Sequence, residues 1–197
     1  MLNEVASFLN GAVSGCGATA HTPEVGHGHV LVESAHLHAC AKALKESDEF
    51  DMNVLQVVSG VDYPERIEVN YMLASFTKNT EMILKVKLPK TSPTETVEVD
   101  SVVDIWKSAN FLERETYDML GVVFKNHPDH RRILCPEDWE GFPLRKDYVV
   151  QKEWEGMEIN PAHKVNSGDH FFFKDVIAKM GGDEKKVTYS WKSDAEA

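Results

Sequence analysis

Between Arg66 and Lys90 the chain reads RIEVNYMLASF, then TKNTE, then MILKVKLPK, and this stretch constrains the fold most. Ile67, Val69, Tyr71 and Leu73 alternate along the first segment, the period of a half-buried strand. TKNTE supplies a turn, and MILKVKLPK returns as a second strand. DMNVLQVVSGVDY, upstream, is also strand-like and closes on the turn chemistry of DYPE. Connections this short cannot carry the crossover a parallel pair requires, so an antiparallel meander of three strands is expected. Ahead of it, HVLVE reads as a short strand and Ser34 as the N-cap of a helix, AHLHACAKALKES, with Leu37, Ala41 and Leu44 at helical spacing. Residues 1–26, rich in Gly, Ala, Ser and Thr, read as a mobile lead-in.

The second half has a different grammar. Ser101 with Asp104, and Asn110 with Glu113, both have capping-box spacing, which predicts two short helices meeting near Ser108. Gly121 stands where a left-handed C′ residue ends the second. VVF is a short extended piece, and NHPDHRRILCPEDWEGFPLRKDY is too punctuated by proline and glycine for regular structure. The tail carries Trp154, Phe171, Phe172, Phe173 and Trp191 among charges. Three successive phenylalanines diverge on helix or strand alike, so at least one is expected on a partner or exposed. GGDEKK in the tail lacks the strand–helix context of a phosphate cradle.

Charge narrows the functional classes. Among 197 residues, 32 are acidic and 21 basic, a net charge of −11, the wrong sign for a bare nucleic-acid binder or for adhesion to anionic lipid. No apolar run approaches the roughly 20 residues of a membrane helix. The N-terminus has neither the basic flank of a signal peptide nor the arginines of a transit peptide, so a soluble interior location is expected. Cys16, Cys40 and Cys135 are scattered, with no CxxC to hold zinc or an iron–sulfur cluster. The histidine pairs His27/His29, His36/His38 and His127/His130 have no HExxH or carboxylate at the spacing that completes a metal site.

A loop as long as residues 126–148 has a task or an anchor. It holds Asp129, Arg131, Arg132, Asp138, Trp139, Arg145, Lys146, Asp147 and Tyr148. On the preceding helix, Leu112, Thr116 and Met119 share a face with Glu115 at its margin, and Arg114 and Asp118 lie one turn apart. Glu115 beside an apolar seam needs a cation, which Arg131 or Arg132 could supply; such ions either pin the loop to its own helix or organise it for partners. Arg145 and Lys146, far along the loop, are expected to act through a partner contact. Glu113 and Glu115 are two apart and diverge, so they form no catalytic carboxylate pair. His127 before Pro128 is an acid–base candidate, although a turn histidine is more often a structural donor.

The run ERETYDMLGVVFKNHPDHRRILCPEDWEGFPLRKDY resembles the signature of the thirty-kilodalton subunit of NADH–quinone oxidoreductase, respiratory complex I. The matching positions are Glu113, Arg114, Glu115, Asp118, Met119, Leu120, His127, Arg131, Ile133 and Leu134, then Gly141, Phe142, Pro143, Leu144, Arg145, Lys146 and Asp147. His130 and Val149 depart from it, where the family commonly has leucine and proline. The resemblance implies an α/β (α+β) fold: a small mixed, largely antiparallel sheet with helices on one face, then an extended partner-wrapping segment. The chain then divides into the lead-in 1–26, a domain 27–125, and a loop and docking segment 126–197.

It further implies a non-catalytic scaffold of the hydrophilic arm, peripheral on the cytoplasmic side of a bacterial inner membrane, against the quinone-site and cluster-bearing subunits. FMN and the iron–sulfur clusters then belong to partners and this chain holds no cofactor. Glu113, Arg114, Glu115, Asp118, His127, Asp129, Arg131, Arg132, Arg145, Lys146 and Asp147 become contacts with neighbouring subunits. A homologous member of an energy-converting hydrogenase or deazaflavin-linked dehydrogenase is the near alternative, and a freestanding histidine-based metalloenzyme the distant one.

Overall fold

The structure, a computed structural model, describes residues 1–24, 26–90 and 95–159. The elements in chain order are α1 (Leu2–Ala12), β1 (Thr19–His21), β2 (His29–Val32), a 3-10 turn (Ser34–His36), α2 (Leu37–Glu46), β3 (Val54–Asp62), β4 (Arg66–Ser75), β5 (Thr80–Pro89), β6 (Val97–Asp100), α3 (Ala109–Leu120) and β7 (Val122–Lys125). A hairpin of β8 (Glu153–Trp154) and β9 (Met157–Glu158) follows.

The meander forms as its alternation predicts. Ile67, Val69, Tyr71 and Leu73 of β4 are buried and face Leu88, Val86, Leu84 and Met82 of β5 across an antiparallel ladder. β3 pairs antiparallel on the other side of β4, with a bulge between Leu55 and Val57. β2 then joins parallel to β5, placing Val30 and Val32 beside Leu84 and Val86, and β1 closes the edge. The result is a mixed five-stranded sheet of order β1-β2-β5-β4-β3. Its opposite face is polar enough for Glu68 to take Arg66 at 2.8 Å and Lys85 at 3.1 Å.

Helix α3 docks on the buried face at Gly60. A Cβ there would lie 2.2 Å from Leu120 Cδ1, so the missing side chain lets the helix end approach β3. α3 also connects β6 to β7, which pair in parallel and bury Val97, Val99, Val122 and Phe124. Gly121 ends the helix in the left-handed region at φ 71°, as expected.

Several expectations give way. Residues 1–26 contain a helix rather than a mobile lead-in: Val5 and Leu9 of α1 are fully buried, and the Asn10 amide bonds both the carbonyl (2.8 Å) and the N–H (3.0 Å) of Ala18. Ser34 begins a 3-10 turn, and α2 starts only at Leu37 without a side-chain cap. No helix forms at 101–108. The Ser101 hydroxyl that would cap one bonds Glu113 at 2.6 Å, and the segment is held as turns, with Trp106 Nε1 donating to the Met52 carbonyl at 3.1 Å. Asn110 does not cap α3 either; the helix begins at Ala109, and Ser108 donates to the Leu55 carbonyl instead.

Residues Met1–Val150 form one compact unit, so the loop belongs with the domain, and the expected boundary near 125 falls at 150. In the following unit, the β8–β9 hairpin turns through Glu155 and Gly156, both at positive φ, the geometry of a two-residue hairpin turn. Phe171, Phe172, Phe173, Trp191 and GGDEKK lie outside the described residues. Among the described residues no helix is long and apolar enough to cross a membrane.

Candidate functional site

α3 buries four polar residues, Glu113, Arg114, Thr116 and Asp118; Thr116 faces Gly60 of β3 and Glu113 the turn at 101–102, while Arg114 and Asp118 meet loop 126–148. Asp118 is the hub. Its Oδ2 accepts the backbone N–H groups of Ile133 (3.1 Å), Leu134 (2.6 Å) and Cys135 (2.8 Å), while Arg132 Nη1 reaches Oδ1 at 2.7 Å. Burial alone would raise its pKa; the bonds from Cys135, Arg132, Leu134 and Ile133 outweigh that and hold the carboxyl below the usual range. Arg132 directs its other nitrogen to the carbonyls of Trp139 and Gly141, both at 2.9 Å. One ion pair thereby fixes the loop at both ends of its central turn.

Arg114, one turn earlier, holds the loop by its backbone. It donates to the carbonyls of Arg131 (3.2 Å) and Arg132 (3.3 Å) and pairs with Asp129 at 3.3 Å. Asp129 also takes Arg131 Nε at 2.8 Å on the surface. Further along, the Phe142 ring takes the guanidinium groups of both Arg132 (5.2 Å to the ring centroid) and Arg145 (4.9 Å). Its ring sits over Gly121, where a Cβ would come within 2.5 Å of it. Arg145 is buried and donates to the carbonyls of Leu120 (2.6 Å) and Glu95 (2.7 Å). The Lys146 N–H reaches Asp62 at 2.9 Å, and Asp62 is itself paired with buried Lys90.

A second buried carboxyl behaves differently. Glu113 accepts the Ser101 hydroxyl (2.6 Å) and the Val102 N–H (2.8 Å), and burial pushes its pKa up to about 7. The nearest cationic candidate among the described residues is the buried His127 ring, with Nε2 at 4.0 Å. His127 Nδ1 accepts the Asp129 N–H at 3.0 Å, so Nε2 carries the proton and donates to the Asn110 carbonyl at 3.1 Å. The His130 ring packs tilted against Tyr117, with centroids 4.2 Å apart, and accepts the Phe124 N–H at 3.1 Å; burial and neighbouring His127 hold its pKa down.

The site residues expected from sequence therefore separate. Asp118, Arg132, Arg114, Asp129 and His127 converge on the α3–loop junction. Glu115 does not: it points to solvent, and Arg132 serves Asp118 instead, because Asp118 and not Glu115 lies on the docked side of the helix. Arg131 is largely exposed and pairs only locally with Asp129. Arg145 is a tie within its own domain rather than a free contact, and Asp147 is exposed beside it. Asp62, Glu95 and the Ser101 hydroxyl as a partner of Glu113 escape sequence reasoning, since each sits far from the signature along the chain and nothing local marks its role. Among the described residues no group of three or more His, Cys, Asp or Glu side chains is placed to hold a metal ion. The partners of these charges are mostly backbone groups, an arrangement that shapes a surface.

Residues 30–154 match the family model for the 30 kDa subunit of the respiratory-chain NADH dehydrogenase. The chain belongs to this family. Within the 30 kDa family, it is 42% identical over 123 residues to the C subunit of NADH-quinone oxidoreductase from Chloroherpeton thalassium, an alignment covering 61% of this chain and 50% of that one. The equivalent protein of Moorella thermoacetica is 44% identical over 126 residues, covering 63% and 81%. The chain thus spans about half the length of the Chloroherpeton relative. Among solved structures, the trypsin-resistant fragment (1–134) of Nqo5 superposes with a TM-score of 0.51 at 28% identity, over 65% of this chain and 98% of the fragment. A chain of the archaeal membrane-bound sulfane sulfur reductase shares the fold, with a TM-score of 0.53 at 16% identity over 97% and 98%.

Proposed function

We propose that this 30 kDa family member is a non-catalytic scaffold of the hydrophilic arm of a proton-translocating NADH–quinone oxidoreductase. It sits peripherally on the cytoplasmic side of a bacterial inner membrane and holds no redox cofactor of its own. Electrons pass from NADH through FMN and iron–sulfur clusters of neighbouring subunits to quinone, and this chain braces the quinone-site and cluster-bearing subunits.

The observation that carries this reading is the Asp118 hub. By gathering three consecutive N–H groups onto one oxygen, it turns the loop so that Ile133 and Leu134 face outward, at 37% and 62% exposure. Leu144, 62% exposed, is fixed nearby through its N–H bond to the Met119 carbonyl at 3.0 Å. Apolar side chains held rigidly outward lose little entropy on association, which favours a docking role.

Leu134→Asp tests it, since an exposed position tolerates the change without unfolding. Native gels should show less assembled complex, while NADH oxidation per flavin in the surviving complex stays near normal. Full assembly with turnover lost would refute the scaffold role.

A further inference from the structure

We propose that His21 and His29 form a metal clip, which takes a divalent transition-metal ion between the edge strand β1 and its neighbour β2. The two residues stand directly opposite each other in the antiparallel β1–β2 ladder. Side chains so opposed share one face, with Cβ atoms about 4.5–5.5 Å apart. Their imidazole rings are nearly parallel, with 20° between the planes, and the centroids are 5.4 Å apart. Two imidazoles that ligate one tetrahedral ion, through bonds of about 2.0–2.1 Å, have centroids roughly 5 Å apart. The backbone thus holds the rings at chelating separation, and rotation about the side-chain bonds turns one nitrogen of each onto the ion.

The ladder makes this spacing firm. Thr19 pairs with Leu31 and Ala20 with Val30, and Val30 is fully buried. His29 precedes Val30, so its side chain goes to the opposite, polar face of the sheet, where it is half-buried beside the exposed His21. Thr19 shares that face and brings its hydroxyl within 3.3 Å of His21 Nε2, a long hydrogen bond that an ion can replace.

The surrounding charges permit ligation. Burial, and then the Lys85 ammonium on β5, hold His29 below the ordinary histidine pKa, so a ring lone pair is free at neutral pH. A ring N–H of His29 bonds the His27 backbone, which settles which nitrogen keeps that lone pair. Lys85 is turned to Glu68 on β4 at 3.1 Å, and Glu68 also takes Arg66, which offsets part of the repulsion on an arriving cation. Imidazole nitrogens favour zinc, nickel or copper, whereas magnesium and calcium prefer oxygen. Among the described residues no third His, Cys, Asp or Glu joins the pair, so water completes the shell. The ion ties a three-residue edge strand to the sheet.

Zinc titration of the full chain, without partners, tests the clip independently of the scaffold reading. Calorimetry with zinc chloride near neutral pH should show binding that saturates at micromolar zinc, and magnesium chloride should show none. The NMR signals of the His21 and His29 rings should shift together, and Tm should rise with zinc concentration. His21 is exposed, so His21→Ala should leave the fold intact. It should weaken zinc binding about 100-fold, because the second ligand of a chelate acts at high effective concentration. The clip is overturned if His21→Ala binds zinc as tightly as the parent, if other histidine rings respond while His21 and His29 do not, or if zinc binds only at millimolar concentration, an adventitious ion only. If His21→Ala does not fold, the ring signals of the parent decide alone.

Discussion

Removing the Asp118 carboxylate should be among the most damaging single changes in the domain. Asp118→Ala strands Arg132, whose side chain is 11% exposed, in a setting built for a partner at 2.7 Å. Breaking a buried pair by deleting one member costs about 3–5 kcal/mol. The N–H groups of Ile133, Leu134 and Cys135 also lose their acceptor, but these bonds are only partly buried, so water replaces part of what is lost and they add less than the stranded charge. A loss of about 3–5 kcal/mol is a large share of a domain's typical stability and corresponds to roughly a 10 °C fall in Tm.

Urea unfolding of the full chain, followed by circular dichroism, should show the midpoint falling at constant slope. Asp118→Ala combined with Arg132→Met should be less destabilised than the two single changes summed, because the double variant leaves no unpaired ion. The acid dependence has a defined sign. A carboxyl held below its ordinary pKa stabilises the fold above that ordinary value, and the contribution fades as pH falls through the depressed one. The gap between parent and Asp118→Ala should therefore narrow below about pH 4. A cost under about 1 kcal/mol, or strict additivity with Arg132→Met, would refute the hub.

Arg145→Ala should destabilise the unassembled chain by about 2 kcal/mol, because its bonds to the Leu120 and Glu95 carbonyls are internal. Differential scanning calorimetry checks this, and an unchanged Tm with lost assembly would restore a partner contact as its main role. Gly121→Ala combines a left-handed backbone with a Cβ 2.5 Å from Phe142, and a loss of about 2–3 kcal/mol is expected. Greater exposure of the Phe142 ring by NMR should accompany it; a neutral Gly121→Ala would mean the ring does not rest on the glycine.

Much of the fold was legible because the relevant forces are local. Alternation along Ile67–Leu73, short turns and the glycine at 121 each act within a few residues, and each element formed where that pattern stood. The family signature was legible as well, but as a string of types. It contained Glu113, Glu115 and Asp118 without ranking them, and the favoured carboxylate, Glu115, proved exposed. Capping boxes failed for a related reason. Ser101 is chemically able to cap a helix, yet a buried carboxyl 12 residues away competes for the same hydroxyl and takes it.

By itself, then, the amino-acid sequence determined the strands of the meander, the end of α3, the irregularity of the loop and the membership of a family. These depend on backbone preference and side-chain period, which a chain carries wherever it goes. Tertiary structure decided which carboxylates matter. Docking of α3 at Gly60 sets the rotation of the helix, and that rotation sends Asp118 and Glu113 inward and Glu115 to water. It also decided that β2 pairs parallel with β5, that Val5 and Leu9 belong to the core, and that Arg145 holds its own domain. Each of these joins residues distant along the chain, and burial, which fixes the energetic weight of a charge, exists only after they have met.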